Sequence, residues 1–122
     1  MTIAYLDHVN IRTGALDRLV HFYCDIIGLT EGPRPDFPFN GAWLYCGDQA
    51  AVHLIEVDET PMAETPSLEH FAFVGTDRAA FVGRLEAADY PFRSVFVPGT
   101  KIEQIRLQDP DGNQLHVDFT ES

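Results

Sequence analysis

The strongest constraint on the fold is an internal repeat. Residues 6–11, Leu-Asp-His-Val-Asn-Ile, resemble residues 68–73, Leu-Glu-His-Phe-Ala-Phe, at an offset of 62 positions. Residues 51–55, Ala-Val-His-Leu-Ile, resemble residues 114–118, Gln-Leu-His-Val-Asp, at an offset of 63 positions and in the same order along the chain. Because both matches keep their order and spacing, one duplicated unit explains them, and two copies of one supersecondary motif are predicted.

Each half has the pattern of one strand, one helix and three further strands, a βαβββ motif. The spacing of apolar side chains predicts a helix over residues 15–27, which Gly28 is placed to end. The same spacing predicts a second helix over residues 77–88, with Thr76 as its N-cap and Ala88 on its buried side. The fold class predicted is α+β. The predicted strands cover residues 6–11, 29–32, 42–46, 51–57, 68–73, 92–97, 103–107 and 114–119.

Segments rich in Pro and Gly separate these elements. Residues 31–41 are predicted to form an exposed loop that could border a pocket, and residues 109–113, Asp-Pro-Asp-Gly-Asn, a tight turn before the last strand. The predicted organisation is a single domain over residues 1–122, with module one at about 1–58, a linker at 59–66 and module two at about 67–122.

The charge balance restricts the class of partner. With 8 basic against 19 acidic residues the net charge is −11, which repels nucleic acid and anionic membranes, so neither is expected as a partner. No signal-peptide pattern or membrane-length apolar run is present, so a cytoplasmic location is expected. Cys24 and Cys46 form no CxxC pair and are expected to be reduced, packed thiols.

Four of the five histidines lie in predicted strands, at matching positions of the repeat. Side chains alternate across a strand, so each histidine faces away from apolar neighbours such as Val52 and Leu54, which are predicted to pack under the helices. Within each half the two histidines are 45 and 46 positions apart, so duplication predicts that all four share one site. They are His8, His53, His70 and His116.

Imidazole is a good ligand for zinc, nickel, cobalt and ferrous iron, so a site for one divalent ion is predicted, whereas calcium or magnesium would require oxygen ligands. For any one histidine alone, an ordinary half-buried polar role is the alternative; the repeated register favours the metal site. His21 lies on the polar face of the first helix and is assigned to solvent.

The same alternation gives candidates for contacts with a substrate. Trp43 and Tyr45 lie opposite Leu44, and Gln104 and Arg106 lie opposite Ile105. Core packing of the two aromatic rings and a purely surface role for Arg106 are the alternatives.

Several motifs carry a resemblance to a known superfamily. They are Leu-Asp-His-Val at 6–9, Phe-Tyr-Cys-Asp-Ile-Ile-Gly-Leu at 22–29, Ala-Val-His-Leu at 51–54, Leu-Glu-His-Phe-Ala-Phe at 68–73 and Asp-Pro-Asp-Gly-Asn-Gln-Leu-His at 109–116. Over nearly its whole length the chain resembles the vicinal-oxygen-chelate superfamily, which includes glyoxalase I, fosfomycin-resistance enzymes, methylmalonyl-CoA epimerase, extradiol dioxygenases and bleomycin-binding proteins. The resemblance implies two βαβββ modules in an open, curved mixed sheet around a metal cavity, and a homodimer.

The resemblance also implies that the four strand histidines occupy the superfamily's metal positions, with His53 and His116 as the candidate catalytic residues. In many members glutamate stands where this chain has His116, and histidine changes both the charge and the basicity there. The leading hypothesis is a metal-dependent lyase, isomerase or dioxygenase acting on a small carbonyl, enolate or catechol-like substrate. The alternatives are a non-catalytic binding protein for an antibiotic or other small ligand, and a degenerate module with a structural role.

Overall fold

The computed structural model describes residues 2–120 and has the predicted α+β architecture. The chain divides into two units between Met62 and Ala63, and each unit is a βαβββ motif with a four-stranded mixed sheet. The first unit contains β1 (Val9–Thr13), α1 (Leu16–His21), β2 (Thr30–Gly32), β3 (Gly41–Cys46) and β4 (Gln49–Glu56). The second contains β5 (His70–Val74), α2 (Arg78–Ala87), β6 (Arg93–Phe96), β7 (Ile102–Gln108) and β8 (Gln114–Thr120).

The two sheets have the same topology. Their strand orders are β1-β4-β3-β2 and β5-β8-β7-β6, and in each the first and last strands of the motif are parallel neighbours while the other pairs are antiparallel. This pairing brings the two histidine-bearing segments of each motif together, although they are far apart in sequence. Among residues 2–120, no helix has the length and apolar character needed to cross a membrane.

The core of each unit lies on the predicted face of its sheet. In β4 the alternate positions Val52 and Leu54 are fully buried, and in β8 the equivalent Leu115 and Val117 are buried as well. At about 25 cal/mol per Å² of apolar surface, each of these side chains stabilises the fold by roughly 1.5–3 kcal/mol. The predicted core positions of β4 and β8 are therefore confirmed, whereas those of β1 and β5 are only half-buried, namely Val9, Ile11, Phe71 and Phe73.

The first helix departs from the predicted regular helix over residues 15–27. After α1 the chain widens into a π-helical turn, Phe22–Ile27, in which the amides of Gly28 and Leu29 both donate to the Tyr23 carbonyl, at 3.1 and 2.8 Å. Phe22 and Ile26 are buried together with Tyr23 and Ile27. Gly28 ends the element in the left-handed conformation, with φ 103°, as predicted.

The second helix begins one residue later than predicted, because Asp77 is its N-cap. The Asp77 side chain accepts a hydrogen bond from the amide of Ala80 at 3.1 Å, so the prediction of Thr76 as the cap is wrong. The carboxylate gives Asp77 the additional advantage of a negative charge at the positive end of the helix. Ala88, predicted on the buried side of this helix, is exposed. Cys46 of the first unit, predicted to be a packed thiol, is exposed as well.

An ion pair between a half-exposed arginine and a buried glutamate joins α2 to the sheet of the second unit. Glu103, 6% exposed, accepts hydrogen bonds from Nε and a terminal nitrogen of Arg78 at 2.5 and 2.9 Å, and from the Ser94 hydroxyl at 2.5 Å. The Arg78 hydrogen bond holds the pKa of Glu103 below its ordinary value. The fully bonded carboxylate therefore stays charged in the core-facing position of β7.

The turn before β8 is confirmed. The Gly112 amide donates to the Asp109 carbonyl at 2.9 Å, and Gly112 has a φ of 90°. The Asp109 carboxylate accepts from the amides of Asp111 and Asn113 at 3.0 and 2.9 Å. This Asx-type bonding fixes the entry of β8 and hence the register of His116.

Candidate metal and ligand site

Each unit places one strand histidine in the middle of its sheet, on the face away from the core. In the first unit the pairing puts Gly32, Trp43, His53 and Asn10 side by side across the four strands. In the second unit the equivalent row is Arg93, Arg106, His116 and Ala72. His53 and His116 are therefore equivalent, as the repeat predicted, and both are largely buried, at 8% and 7% exposed.

In the first unit His53 lies between two aromatic rings. The ring of His8 stacks on it with centroids 3.7 Å apart and planes 12° apart, and the ring of Trp43 stacks at 4.0 Å and 11°. Two parallel rings cannot share one face at such separations, so His53 is held between them. His8 lies just before β1, so the prediction that the first strand begins at residue 6 and contains His8 is wrong. The segment is instead held by Gln49, whose side-chain amide donates to the carbonyls of Leu6 and Asp7.

The protonation of His53 follows from its hydrogen bond. Its Nε2 lies 3.0 Å from the Ala50 carbonyl, and because a carbonyl only accepts, Nε2 carries the proton and Nδ1 is the open nitrogen. Burial lowers the pKa of His53 below its ordinary value, and the charge of nearby His8 lowers it further. A neutral imidazole is the form that a metal ion requires.

The other three strand histidines share a different arrangement, in which Nδ1 faces a carboxylate. The distances are 2.6 Å for His8 to Asp7, 2.6 Å for His70 to Glu69 and 2.5 Å for His116 to Asp118. A carboxylate holds the proton on Nδ1 and leaves Nε2 as the open nitrogen of the neutral ring. Carboxylate–histidine pairs of this kind orient metal-binding imidazoles and raise their basicity.

The second unit brings His70 and His116 together, with ring centroids 4.7 Å apart. His70 is exposed, whereas His116 is buried beside the half-buried Asp118. The hydrogen bond to His70 is the main cause of a lowered pKa at Glu69. Outside this set, His21 is exposed on α1 and pairs with Asp25 at 2.6 Å, in agreement with its assignment to solvent.

The donor chemistry of the two pairs fits a borderline divalent ion. Each pair supplies two imidazoles, and every ring has one nitrogen engaged with an oxygen atom and one open. Neither unit by itself, within residues 2–120, brings three His, Cys, Asp or Glu side chains into a cluster that could hold a metal. The convergence of the two pairs on one ion therefore stays a prediction.

The first unit has a pocket of about 710 Å³ beside His8 and His53. Its walls include the rings of Trp43, Tyr45 and Phe37, together with the carboxylates of Asp7 and Asp48. Tyr45 is fixed by a hydrogen bond of 2.5 Å from its hydroxyl to the Pro33 carbonyl. Within the described part of the chain, no lysine or arginine lines this pocket, so its character is aromatic and acidic.

The second unit has a pocket of about 780 Å³ beside His70 and His116, and its polar walls are different. Arg106 lines it together with Arg93, and Glu69 and Asp109 are also present. Gln104 is not part of the wall; its amide oxygen accepts from two nitrogens of Arg106 at 2.9 and 2.6 Å and so orients the guanidinium.

Sequence reasoning missed two sets of residues at these sites. The first is the carboxylates beside the histidines, although Asp7-His8 and Glu69-His70 recur at the same place in the repeat and could have been noticed there. The second is Arg93. Its position beside Arg106 depends on the β6–β7 register, which no sequence pattern indicates.

Comparisons with known proteins agree with this architecture. No curated protein matches the chain. Among solved structures, a glyoxalase family protein from Bacillus anthracis has a TM-score of 0.82 at 22% identity, covering 99% of this chain and 98% of that one. A glyoxylase/bleomycin resistance protein/dioxygenase domain from Frankia sp. EAN1pec gives 0.80 at 22% identity over 99% and 95%. Lactoylglutathione lyase from Agrobacterium tumefaciens gives 0.72 at 23% identity over 98% and 96%.

At these identities the structural likeness establishes the fold alone. A family model, however, matches residues 5–117, which is most of the chain and includes both βαβββ units and all four strand histidines. The chain belongs to the Glyoxalase/Bleomycin resistance protein/Dioxygenase superfamily.

Proposed function

We propose that the protein is a divalent-metal-dependent enzyme of this superfamily that acts on a small, oxygen-chelating substrate of the carbonyl, enolate or catechol class. The observation that carries the proposal is the recurrence, in both units, of a histidine pair at equivalent sheet positions with one open nitrogen on every ring.

The metal ligands proposed are His8, His53, His70 and His116, and the ion is zinc, nickel, cobalt or ferrous iron. When bound, the ion would supply Lewis-acid stabilisation of negative charge on the substrate oxygens and acidify a coordinated water. An all-imidazole ligand set contributes no negative charge, which favours an anionic or readily ionised ligand.

His116 and His53 are the proposed catalytic residues. Asp118 lies 2.5 Å from Nδ1 of His116 and fixes the ring, so Nε2 could take a proton from a bound substrate and return it whenever His116 is displaced from the ion. His53 is kept neutral by burial and is enclosed by Trp43, which excludes water from one face of the ring. Trp43 and Tyr45 are proposed to contact the substrate in the first unit, and Arg106, oriented by Gln104, in the second.

Lyase, isomerase and dioxygenase chemistry are the three reaction classes proposed. Histidine at position 116, where many members have glutamate, gives a ligand set that also suits redox-active iron, which oxygenase chemistry requires. Full activity in protein that contains only zinc would eliminate the dioxygenase class.

A homodimer is proposed as the functional form, which light scattering coupled to size-exclusion chromatography would test.

The proposed function is tested by metal reconstitution. Protein stripped with a chelator is titrated with Zn²⁺, Ni²⁺, Co²⁺ and Fe²⁺, and the melting temperature is followed for the wild type and for four single His→Ala variants at the proposed ligand positions. An ion that binds the folded state raises the melting temperature. We expect this rise in the wild type, a smaller rise in each of the four variants, and an unchanged rise in the control His21→Ala.

A wild type that gains no thermal stability from any of the four ions would contradict the proposal. So would a His21→Ala variant that loses as much of the metal-dependent stabilisation as the strand-histidine variants.

A second candidate function is sequestration of a small ligand without catalysis. It is favoured by the aromatic and acidic walls of the first unit's pocket, which suit a planar, cationic compound. Titration calorimetry with bleomycin as the probe distinguishes the two functions. Tight binding that persists in the presence of a chelator favours sequestration, whereas weak binding together with metal-dependent turnover favours the enzyme.

A further inference from the structure

Two arginines lie directly opposite each other in the sheet of the second unit. Arg93 on β6 and Arg106 on β7 are register partners, and Arg106 is in turn opposite His116 on β8. Both arginines line the pocket of about 780 Å³ that contains His70 and His116. Two of the 8 basic residues of the chain are therefore neighbours across this sheet.

The arrangement is unfavourable without a counterion. Like charges directly opposite on neighbouring strands destabilise a sheet. Within residues 2–120, neither arginine forms an ion pair with a carboxylate: Arg106 donates to the neutral amide oxygen of Gln104, and Arg93 is exposed.

The carboxylates in the same pocket already have other partners. Glu69 is hydrogen-bonded to His70 at 2.6 Å, and Arg106 acts on it only through its more distant charge. Asp109 accepts hydrogen bonds from the backbone amides of the turn and from the Asn113 side chain at 2.9 Å. Both guanidinium groups line the pocket and keep donors that no carboxylate occupies.

The fold itself does not require this pair of charges. At the equivalent positions of the first unit, Gly32 and Trp43 are register partners, and the same row is completed by His53 and Asn10 without any charged side chain. The same motif is thus built once with a neutral row and once with two adjacent cations beside the histidine. The difference between the two copies indicates a role in ligand binding rather than in folding.

We infer that Arg93 and Arg106 together bind a carboxylate group of the ligand beside His116, so that the substrate class is a small carboxylic acid. The part of this inference that concerns the substrate rests on the proposed function; the anion site itself does not. A guanidinium binds a planar carboxylate through two parallel hydrogen bonds, and Gln104 holds Arg106 in a fixed orientation for this contact. Glu69 and Asp109 in the pocket wall disfavour a dianion such as phosphate relative to a monoanionic carboxylate.

The inference is tested by NMR titration of the metal-stripped protein with sodium benzoate, following the side-chain Nε–H signals of the arginines. We expect saturable shifts of the Arg93 and Arg106 signals, and a dissociation constant that rises about tenfold or more in Arg93→Gln and in Arg106→Gln. The matched control is Arg12→Gln, which removes an exposed arginine of the first unit outside both pockets and should leave the constant unchanged.

Because Arg93→Gln removes one of two opposed cations, its melting temperature should equal or exceed that of the wild type, and this result separates lost binding from lost folding. Any of three results would overturn the inference. They are the absence of saturable shifts, equal benzoate affinity in the two pocket variants and the control, and tighter binding of inorganic phosphate than of benzoate.

Because the titration is made without metal, the two proposals can fail separately. Benzoate binding through the arginines in a protein that binds no divalent ion would support the anion site and contradict the metal enzyme. Metal binding through the histidines in a protein whose arginines do not bind benzoate would support the metal enzyme and contradict the anion site.

Discussion

Removal of the Asp118 carboxylate should weaken metal binding without removing any proposed ligand. Asp118 lies 2.5 Å from Nδ1 of His116, with side chains 26% and 9% exposed, so solvent screens the pair only in part. In Asp118→Asn the amide can turn its NH₂ group toward Nδ1, which would place the imidazole proton on Nε2 and block the nitrogen proposed to bind the ion. Loss of such a partner typically lowers metal affinity by a factor of about 10 to 100, and we expect this loss, equal to about 1.4–2.7 kcal/mol.

The matched control is Asp25→Asn, which removes the carboxylate from an otherwise similar pair. His21 and Asp25 are 2.6 Å apart but have side chains 68% and 64% exposed. His21 ends α1 and Asp25 lies in the π-helical turn that follows it, so neither belongs to a histidine-bearing strand. Isothermal titration of each chelator-stripped variant with Zn²⁺ measures the dissociation constant. We expect Asp118→Ala to weaken binding as Asp118→Asn does, and Asp25→Asn to match the wild type. Equal dissociation constants for wild type and Asp118→Asn would refute the reasoning.

The remaining predictions concern the stability of the fold. Glu103→Gln should lower the free energy of unfolding by about 1–3 kcal/mol in urea denaturation, since it weakens charge-assisted bonds to a half-exposed Arg78; an unchanged midpoint would contradict this. The pKa of Glu103 is lowered in the folded state from 4.5, so the contribution of its charge is present above pH 4.5 and is lost as the pH falls through the folded pKa. The stability difference between wild type and Glu103→Gln should therefore shrink in acid; a constant difference would count against the ion pair. Leu44→Ala, at a fully buried position of β3, should cost about 2–5 kcal/mol; a cost below 1 kcal/mol would mean that the site is not well packed.

Much of the fold could be predicted from the sequence because strand periodicity and duplication reinforce each other. Because Val52 and Leu54 are buried on one side of β4, His53 must lie on the other side. A shift of the strand register by one residue would expose the whole apolar set. The repeat then assigns the same face to His116. The sequence therefore predicts correctly that a histidine lies at the centre of each sheet, on the face away from the core.

Other features depend on competition between residues of nearly equal local preference. Thr76 and Asp77 are both good N-caps, and only the backbone path into α2 decides that Asp77 bonds to Ala80. The π-turn after α1 could not be predicted, because its buried positions, Phe22, Tyr23, Ile26 and Ile27, keep the spacing of a regular amphipathic helix. The pairing of Arg93 with Arg106 arises from the register of two strands, so it could be seen only in three dimensions.

Anomalous diffraction from crystals of the metal-loaded protein tests the central claim most directly. Data collected at the absorption edge of the bound ion should show one strong site per chain, with histidine nitrogens of both modules at about 2.0–2.1 Å, supplied by His8, His53, His70 and His116. A site that involves the histidines of one module only, a site elsewhere on the surface, or no ordered site at all would contradict the account.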